Sequence, residues 1–564
     1  MKVVSEVKSG KYSEILSYIT EKNVLDVLMG RKDPPNAVLK HKRMVIQPPK
    51  YKITLPKRTA SLCPECGKII PAEIYEKDGK VMIRKKCPDH GEFEDIYLSD
   101  VEIYLKFGMF AIDGVGIENP HTKFESSCPY DCGLCEFHLS HSNIVNIDLT
   151  NRCNMNCPIC FANANAAGFV YEPSFDEVVN MLKLLRAERP VPAPAVQFAG
   201  GEPTIYPRFL DAVRIAKQLG FPQVQVATNG ILLAQDPTFA QKLRDAGLDT
   251  VYLQFDGFKE ETYIKTRARP GFLKEKLQAI ENCRNTKPKP LAVVLVPVIV
   301  RGVNDDEIGK MIDFAIENID VIRSVNFQPV SFSGRINYEE RIKGRYTIAD
   351  LINDLVNQTD YLKKEDFFPI PVAAAFAEAI SGLHKDPKVA FTTHAMCGTA
   401  SYIFIGKDGK VASVSDFVDV WGLYRDALEI AETLEGTMFQ RLRIAARSLK
   451  ILKYIDMSRA PKGMNLRSLI RSVIFKANKE SLGKIHWHSL FIGAMHFMDR
   501  YNYDIERVRR CVVHYATPDG RLIPFCAYNT GPTFRTEVES KFAMSFAEYH
   551  RRYGTLQEDD STYR

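Results

Sequence analysis

Between residues 144 and 328 two hydrophobic periods take turns. Short apolar runs recur at Ile144–Thr150, Ala195–Phe198, Val224–Ala227, Thr250–Phe255, Ala292–Val296 and Ser324–Phe327. Between them the apolar positions fall at helical spacing, as from Phe175 to Leu185, where Ser174 and Glu177 form the S-x-x-E signature of a helix start. Strands alternating with helices predict a parallel sheet with crossover helices, here six repeats over residues 143–330. Toward the N-terminus, Lys77-Asp78-Gly79-Lys80 predicts a tight hairpin. Near the C-terminus, Pro518-Asp519-Gly520 predicts another. With Asp519-Gly520 as a two-residue turn, Cys526 falls opposite Val513. Cys511 then shares its face, making the two thiols diagonal neighbours. Residues 1–60 mix short amphipathic segments with Pro/Lys-rich connections and disclose no role.

Composition narrows the class. A chain of 564 residues has room for three or four domains, and 45% hydrophobic content is ordinary for a globular protein. The first residues, Met1 to Glu6, do not read as a signal peptide, and no run of about 18 uncharged apolar residues occurs. The expected location is cytoplasmic. Thirteen cysteines in such a chain argue for metal sites in a reducing compartment, not a disulfide framework. The net charge of +6 is mild, but Gln440–Lys476 carries ten basic residues against one acid, Asp456, interleaved with aliphatic positions. Basic amphipathic helices of this kind lie on anionic membranes, at about 1 kcal/mol per basic residue. The expected partner is therefore a membrane surface met peripherally and not a nucleic acid, since aliphatic residues suit lipid better than base stacking.

The cysteines form four groups. Cys63, Cys66, Cys87 and His90 combine C-x2-C with C-x2-H, a tetrahedral set for zinc or a rubredoxin-like iron, expected in a small domain over 61–100. Cys128, Cys132 and Cys135 form a C-x3-C-x2-C in a loop over 120–142, preceded by no strand. The alternative there is a zinc site, and His138, His141 or a distant cysteine could complete the ligand set. Cys153, Cys157 and Cys160 repeat the spacing directly after an apolar strand and before Phe161. Three thiolates on a four-iron cube leave one iron open to a substrate. Cys397, Cys511 and Cys526 lie in the region 331–564 and form a candidate third set. Three unrelated buried thiols are the alternative. Cys283 reads as a buried helix residue.

At Cys153–Phe161 the chain resembles the radical S-adenosylmethionine (SAM) superfamily. That resemblance implies an α/β fold built on a partial (β/α)6 barrel. It also implies a [4Fe-4S] cluster on Cys153, Cys157 and Cys160, with SAM on the open iron. Gly200-Gly201-Glu202-Pro203 after the second strand resembles the family's GGEP motif, in which the carboxylate holds the SAM ammonium. By the same resemblance Phe161, Thr228, Asn229, Asp256 and Val300 border the cofactor. Around the barrel stand a rubredoxin- or zinc-ribbon-like N-terminal domain and a C-terminal α+β region. One or two auxiliary [4Fe-4S] clusters on the remaining cysteines complete the expectation. The order of these groups, with the basic stretch, is similar to that of the archaeal tetraether lipid synthases (glycerol dialkyl glycerol tetraether or macrocyclic archaeol synthases). That similarity implies carbon–carbon joining of isoprenoid ether phospholipid chains, with electrons from a ferredoxin- or flavodoxin-type donor. The alternative is a radical SAM methyltransferase acting on a pterin or similar small molecule. A third reading, a non-catalytic electron-transfer protein, has no use for an ammonium-binding carboxylate.

Overall fold

The structure, a computed structural model, describes residues 45–46, 55–334, 336–384, 387–432, 451–456, 458–462 and 489–553. Most of the basic stretch 440–476 and nearly all of residues 1–60 lie outside these.

The expected six strands form and pair in parallel in chain order: Ile144–Thr150, Ala195–Gly200, Gln223–Thr228, Thr250–Gln254, Ala292–Val296 and Ile322–Pro329. Their helices follow the sequence rules. Phe175–Ala187 starts on a full capping box, with Glu177 N–H donating to Ser174 Oγ and Ser174 N–H donating to Glu177 Oε2. Val145, Ile147, Val196, Phe198, Val224, Val226, Val251 and Leu253 face these helices and build the main core. The alternate positions are polar: Asn146, Gln197, Gln225 and Tyr252 line the opposite face.

The parallel sheet has two more strands than expected, one at each edge. Ser489–Met495 pairs in parallel with Ile322–Pro329, and Val513–Ala516 pairs in parallel with Ile144–Thr150. Beyond them lie the antiparallel Gly398–Ile405 and Leu522–Pro524. The C-terminal part of the chain thus extends the barrel sheet at both margins. A short apolar strand at an edge carries no mark of which sheet it joins, so the sequence pattern misses this.

The C-terminal hairpin differs from expectation by one residue. His514 pairs with Pro524 and Ala516 with Leu522, so the loop holds Pro518, Asp519 and Gly520, with Gly520 at φ +85°. A type I turn followed by a left-handed glycine is the common three-residue solution, and it suits Pro518 at the turn's first central position. Cys526 is then not a strand residue opposite Val513 but lies in the helix Phe525–Asn529.

At the N-terminus, Lys57–Leu62, Ile69–Lys77, Lys80–Cys87 and Gly91–Leu98 form an antiparallel four-stranded ribbon. Its Asp78-Gly79 turn has both residues at positive φ, as a two-residue hairpin requires. The ribbon docks on the C-terminal region through buried polar contacts. Thr59 Oγ1 and Tyr97 OH each donate to Asp504 at 2.7 Å, and Arg345 joins Asp95 of the ribbon to Asp499.

Candidate active site and metal centres

The first barrel strand ends at Thr150 and its chain turns directly into the cysteine loop. Asn165, at φ +65°, folds back over that loop. Its side chain accepts from Cys153 N–H at 2.8 Å and donates to the carbonyls of Cys153 and Met155 at 2.9 and 3.1 Å. Cys153, Cys157 and Cys160 are half-buried. Burial pushes the Cys153 thiol well above its ordinary range, with Glu202 adding to the effect. Such thiols ionise when a metal replaces the proton.

The glycines of the GGEP stretch have a local structural reason. Gly201 N–H donates to Thr150 O at 2.8 Å and Glu202 N–H to Arg152 O at 2.9 Å. A Cβ at Gly200 would collide with Thr150 O, and one at Gly201 with Arg152 O. The pair lets the second strand end tuck against the entrance of the cysteine loop. Glu202, 1% exposed, is placed by this contact. Its Oε1 accepts from Thr204 N–H, Thr204 Oγ1 and Thr228 Oγ1, whereas Oε2 accepts only from Asn229 N–H, at 2.8 Å. Burial raises its pKa, and these donors oppose the rise. Oε2 therefore keeps room for an ammonium. Pro203 starts the short 3-10 turn that carries Thr204.

Asn229 ties the third strand's end to the cysteine loop, its Nδ2 donating to Asn154 Oδ1 at 2.7 Å. Asp256, expected to border SAM, instead spends its carboxylate inside the protein. It receives Arg267 Nε at 2.6 Å, Arg267 Nη2 at 2.9 Å and Val298 N–H at 3.0 Å. Val300 follows the short strand Val298–Ile299 beyond the fifth strand, its N–H bound to Asn304 Oδ1 at 2.9 Å. Asn304 Nδ2 in turn joins Asp256 O to Val298 O. Phe161 packs on Phe525 at 5.3 Å between ring centroids, and Phe525 stacks on Phe497 at 3.7 Å. Gly334, after the sixth strand, lies against the carbonyls of Cys160 and Phe161.

Sequence reasoning missed Asn165, Arg267 and Lys276. Lys276, fully buried on the helix Phe272–Arg284, donates to Asn229 O and to Gln254 Oε1. Burial lowers its pKa to about 7. An isolated lysine on an amphipathic helix gives no signal of this in the sequence.

The ribbon brings Cys63, Cys66, Cys87 and His90 together, their ligand atoms all within 4.8 Å of one another. Three thiols and an imidazole at that spacing fit one tetrahedral ion. Burial pushes the Cys87 thiol up, but hydrogen bonds led by His90 bring it down to about 6, toward the thiolate a metal needs.

Cys128, Cys132 and Cys135 line a pocket with Phe124, Leu134, Phe137, His138 and Arg509. Three backbone N–H groups, of Glu125, Ser126 and Ser127, converge on Asp131 and shape the loop. His141 has both ring nitrogens engaged, with Ser142 O and Ala390 N–H, and is spent as a fourth ligand. His138 lines the pocket, although its Nε2 lies 2.8 Å from Cys511 O. The Nε of buried Arg509 has no partner, which fits an anionic group in the pocket. Cys397 is near enough to add to the rise that burial causes in the Cys511 and Cys526 thiols, and Arg507 Nε donates to Cys397 Sγ at 3.3 Å. Cys283 is a buried helix residue, as expected.

The radical SAM superfamily profile matches residues 147–315, and the profile described as the HMPTM N-terminal zinc ribbon domain matches residues 55–99. A 7,8-dihydro-6-hydroxymethylpterin dimethyltransferase from Methanocaldococcus jannaschii is 46% identical over 508 residues, 89% of this chain and 99% of that protein. A GTP 3′,8-cyclase from Limosilactobacillus fermentum is 30% identical over 41% of this chain and 64% of its own length. Streptococcus suis SuiB bound to S-adenosylmethionine, 17% identical, covers 39% of this chain and 48% of its own, at a TM-score of 0.31 too low to argue from.

These findings correct the lipid assignment. The relative matched along nearly its whole length is named for a pterin, so tetraether synthesis, an isoprenoid ether phospholipid substrate and peripheral membrane contact are withdrawn. The basic stretch that suggested them lies mostly outside the described residues, and among those no helix is long and apolar enough to cross a membrane. A zinc ribbon, a SAM-dependent barrel and near full-length identity to the Methanocaldococcus jannaschii protein together place this chain in that protein's family of radical SAM enzymes.

Proposed function

We propose that this enzyme is a radical SAM methyltransferase acting on a reduced pterin or a closely related heterocycle. The observation that carries the reading is identity sustained over 89% of this chain and 99% of the pterin dimethyltransferase. The inner face of the barrel supports it. Gln197 Nε2 donates to Asn146 Oδ1 and Gln225 Nε2 to Gln197 Oε1, each at 2.7 Å. This ladder of amides can hydrogen-bond a polar heterocycle and offers nothing to an alkyl chain.

In this reading Cys153, Cys157 and Cys160 hold the [4Fe-4S] cluster. Glu202 Oε2 receives the SAM ammonium, and Gly200, Gly201 and Pro203 fix that carboxylate. Thr228 and Asn229 orient it from the third strand, while Phe161 and Val300 border the cofactor. Asp256 acts through Arg267 and Val298, not by touching SAM. When bound, cluster and SAM together supply a 5′-deoxyadenosyl radical, the hydrogen-abstracting species. The protein's own part is position and exclusion of water. Cys128, Cys132 and Cys135, with Cys397, Cys511 and Cys526, are the residues for one or two auxiliary clusters. Cys63, Cys66, Cys87 and His90 are those for zinc.

The test is anaerobic reconstitution with iron, sulfide, reductant and excess SAM, followed by mass spectrometry of added 7,8-dihydro-6-hydroxymethylpterin. The expected product is the pterin heavier by one or two methyl groups, with methionine and 5′-deoxyadenosine from the SAM that is cleaved and one S-adenosylhomocysteine per methyl from a second SAM, the reductant supplying the electrons. Steady cleavage of SAM over a pterin of unchanged mass would overturn the assignment.

A further inference from the structure

The helix Glu260–Arg267 ends against the cysteine loop, and its last two residues hold one residue of it by both its backbone groups. Ile159 N–H donates to Thr266 O at 3.4 Å, and Arg267 Nη1 donates to Ile159 O at 3.0 Å. Ile159 lies between Cys157 and Cys160. Held there, the Arg267 guanidinium lies near enough to Cys157 for its charge to oppose the rise that burial causes in that thiol's pKa. Its remaining edge forms a fork on Asp256, with Nε and Nη2 on the two carboxylate oxygens. Arg267 is 8% exposed and Asp256 fully buried. A buried cation is therefore fixed to the backbone between two of the cluster-ligating cysteines, with its counter-charge on the far side of the guanidinium.

We propose that Arg267 is a positioning residue that sets the reduction potential of the cluster held by Cys153, Cys157 and Cys160, with Asp256 holding it in place and moderating its charge. The physics is direct. One-electron reduction adds a negative charge to the cluster, so a fixed cation at a ligand sulfur favours the reduced state. Charges interact strongly where burial removes water. The nearer charge dominates, so the Arg267–Asp256 pair does not cancel at the cluster. Arg267 carries its charge at every accessible pH, which makes it a fixed setting and not a switch. The electron itself comes from an external low-potential one-electron donor.

The inference rests on the three cysteines being the ligands of the SAM-binding cluster, and that is checked separately. Wild type and the C153A/C157A/C160A variant are loaded with iron and sulfide and titrated with dithionite under electron paramagnetic resonance. The central cluster is the reducible signal that shifts on adding SAM. Its persistence in the triple variant would remove the ligand assignment, and the inference with it. With the signal assigned, R267Q is expected to lower the reduced-to-oxidised ratio at fixed ambient potential about tenfold, equal to about 59 mV for a one-electron couple. D256N is expected to raise the ratio, by a smaller factor. R267K, which keeps the charge and loses the fork, is expected to stay near the wild-type ratio. Unchanged ratios in R267Q and D256N, shifts in the same direction, or an R267K shift equal to that of R267Q would each overturn the proposal. If R267Q takes up no iron, D256N and R267K still decide it.

Discussion

At the scale of single residues the site depends on close backbone approach and on buried polar groups with assigned partners. Gly201 illustrates the first. Its missing Cβ lets Arg152 O accept from Glu202 N–H at 2.9 Å, so G201A must push the cysteine loop and the carboxylate apart. Displacement on that scale costs roughly 100-fold in rate. The expected outcome is such a loss of 5′-deoxyadenosine formation with zinc retained in the ribbon, read by product assay and metal analysis. Lys276 illustrates the second. Burial lowers its pKa from the unfolded value to about 7, so between pH 7 and 10 the unfolded chain binds more protons there than the native one. Native stability relative to K276M should therefore rise with pH across that window, by at most about 1.4 kcal/mol per unit, and flatten below pH 7. Urea unfolding at several pH values measures it, and a difference constant with pH would count against a neutral Lys276. The cysteine spacing and Gly200–Pro203 were legible because their chemistry is bound to short sequence patterns. Arg267 and Lys276 were not, because each acts across elements and looks from the sequence like any helix cation.

At the scale of elements the ribbon is fastened at two places, by its metal donors and by buried ion pairs to the C-terminal region. Arg345, 2% exposed, pairs with Asp95 of the ribbon and with Asp499. Replacing it by methionine strips buried Asp499 of its arginine and leaves Asp95 with Arg341 alone, a loss of about 3–5 kcal/mol. Chemical denaturation of R345M should show it. The docking also passes through Tyr130, between Cys128 and Cys132, whose OH donates to Gly67 O at 2.5 Å beside the first knuckle. Removal of the ribbon's metal by H90A should therefore speed proteolysis within 57–98 first and disturb the Cys128–Cys135 loop next, while the central loop keeps its iron. Limited proteolysis with iron analysis checks that order. The two hairpins show why one turn could be read and the other not. Asp78-Gly79 has a lysine on each side and no competing turn former. Pro518 ahead of Asp519-Gly520 supplies a second start, and that choice shifts the strand register by one residue.

At the scale of the whole molecule the alternation of strands and helices was enough to give the parallel sheet and the placement of its loops. It could not give the edges, because Ser489–Met495 and Val513–Ala516 reach the sheet from more than 150 residues away. Substrate class was the least legible property. The order of the cysteine groups and a basic stretch outside the catalytic sheet point to lipid, whereas Asn146, Gln197 and Gln225 stand in the sequence as single polar interruptions of apolar strands. Those interruptions fall on one face only in register, and register is not visible before the sheet is built. The measurement that bears most directly on the account is isotope transfer in a single incubation. The reconstituted enzyme is given SAM, reductant and a dihydropterin deuterated at its carbon-bound positions, and the 5′-deoxyadenosine is analysed by mass spectrometry. The account predicts deuterium in the 5′-deoxyadenosine alongside methylated pterin; unlabelled 5′-deoxyadenosine and an unaltered pterin would contradict it.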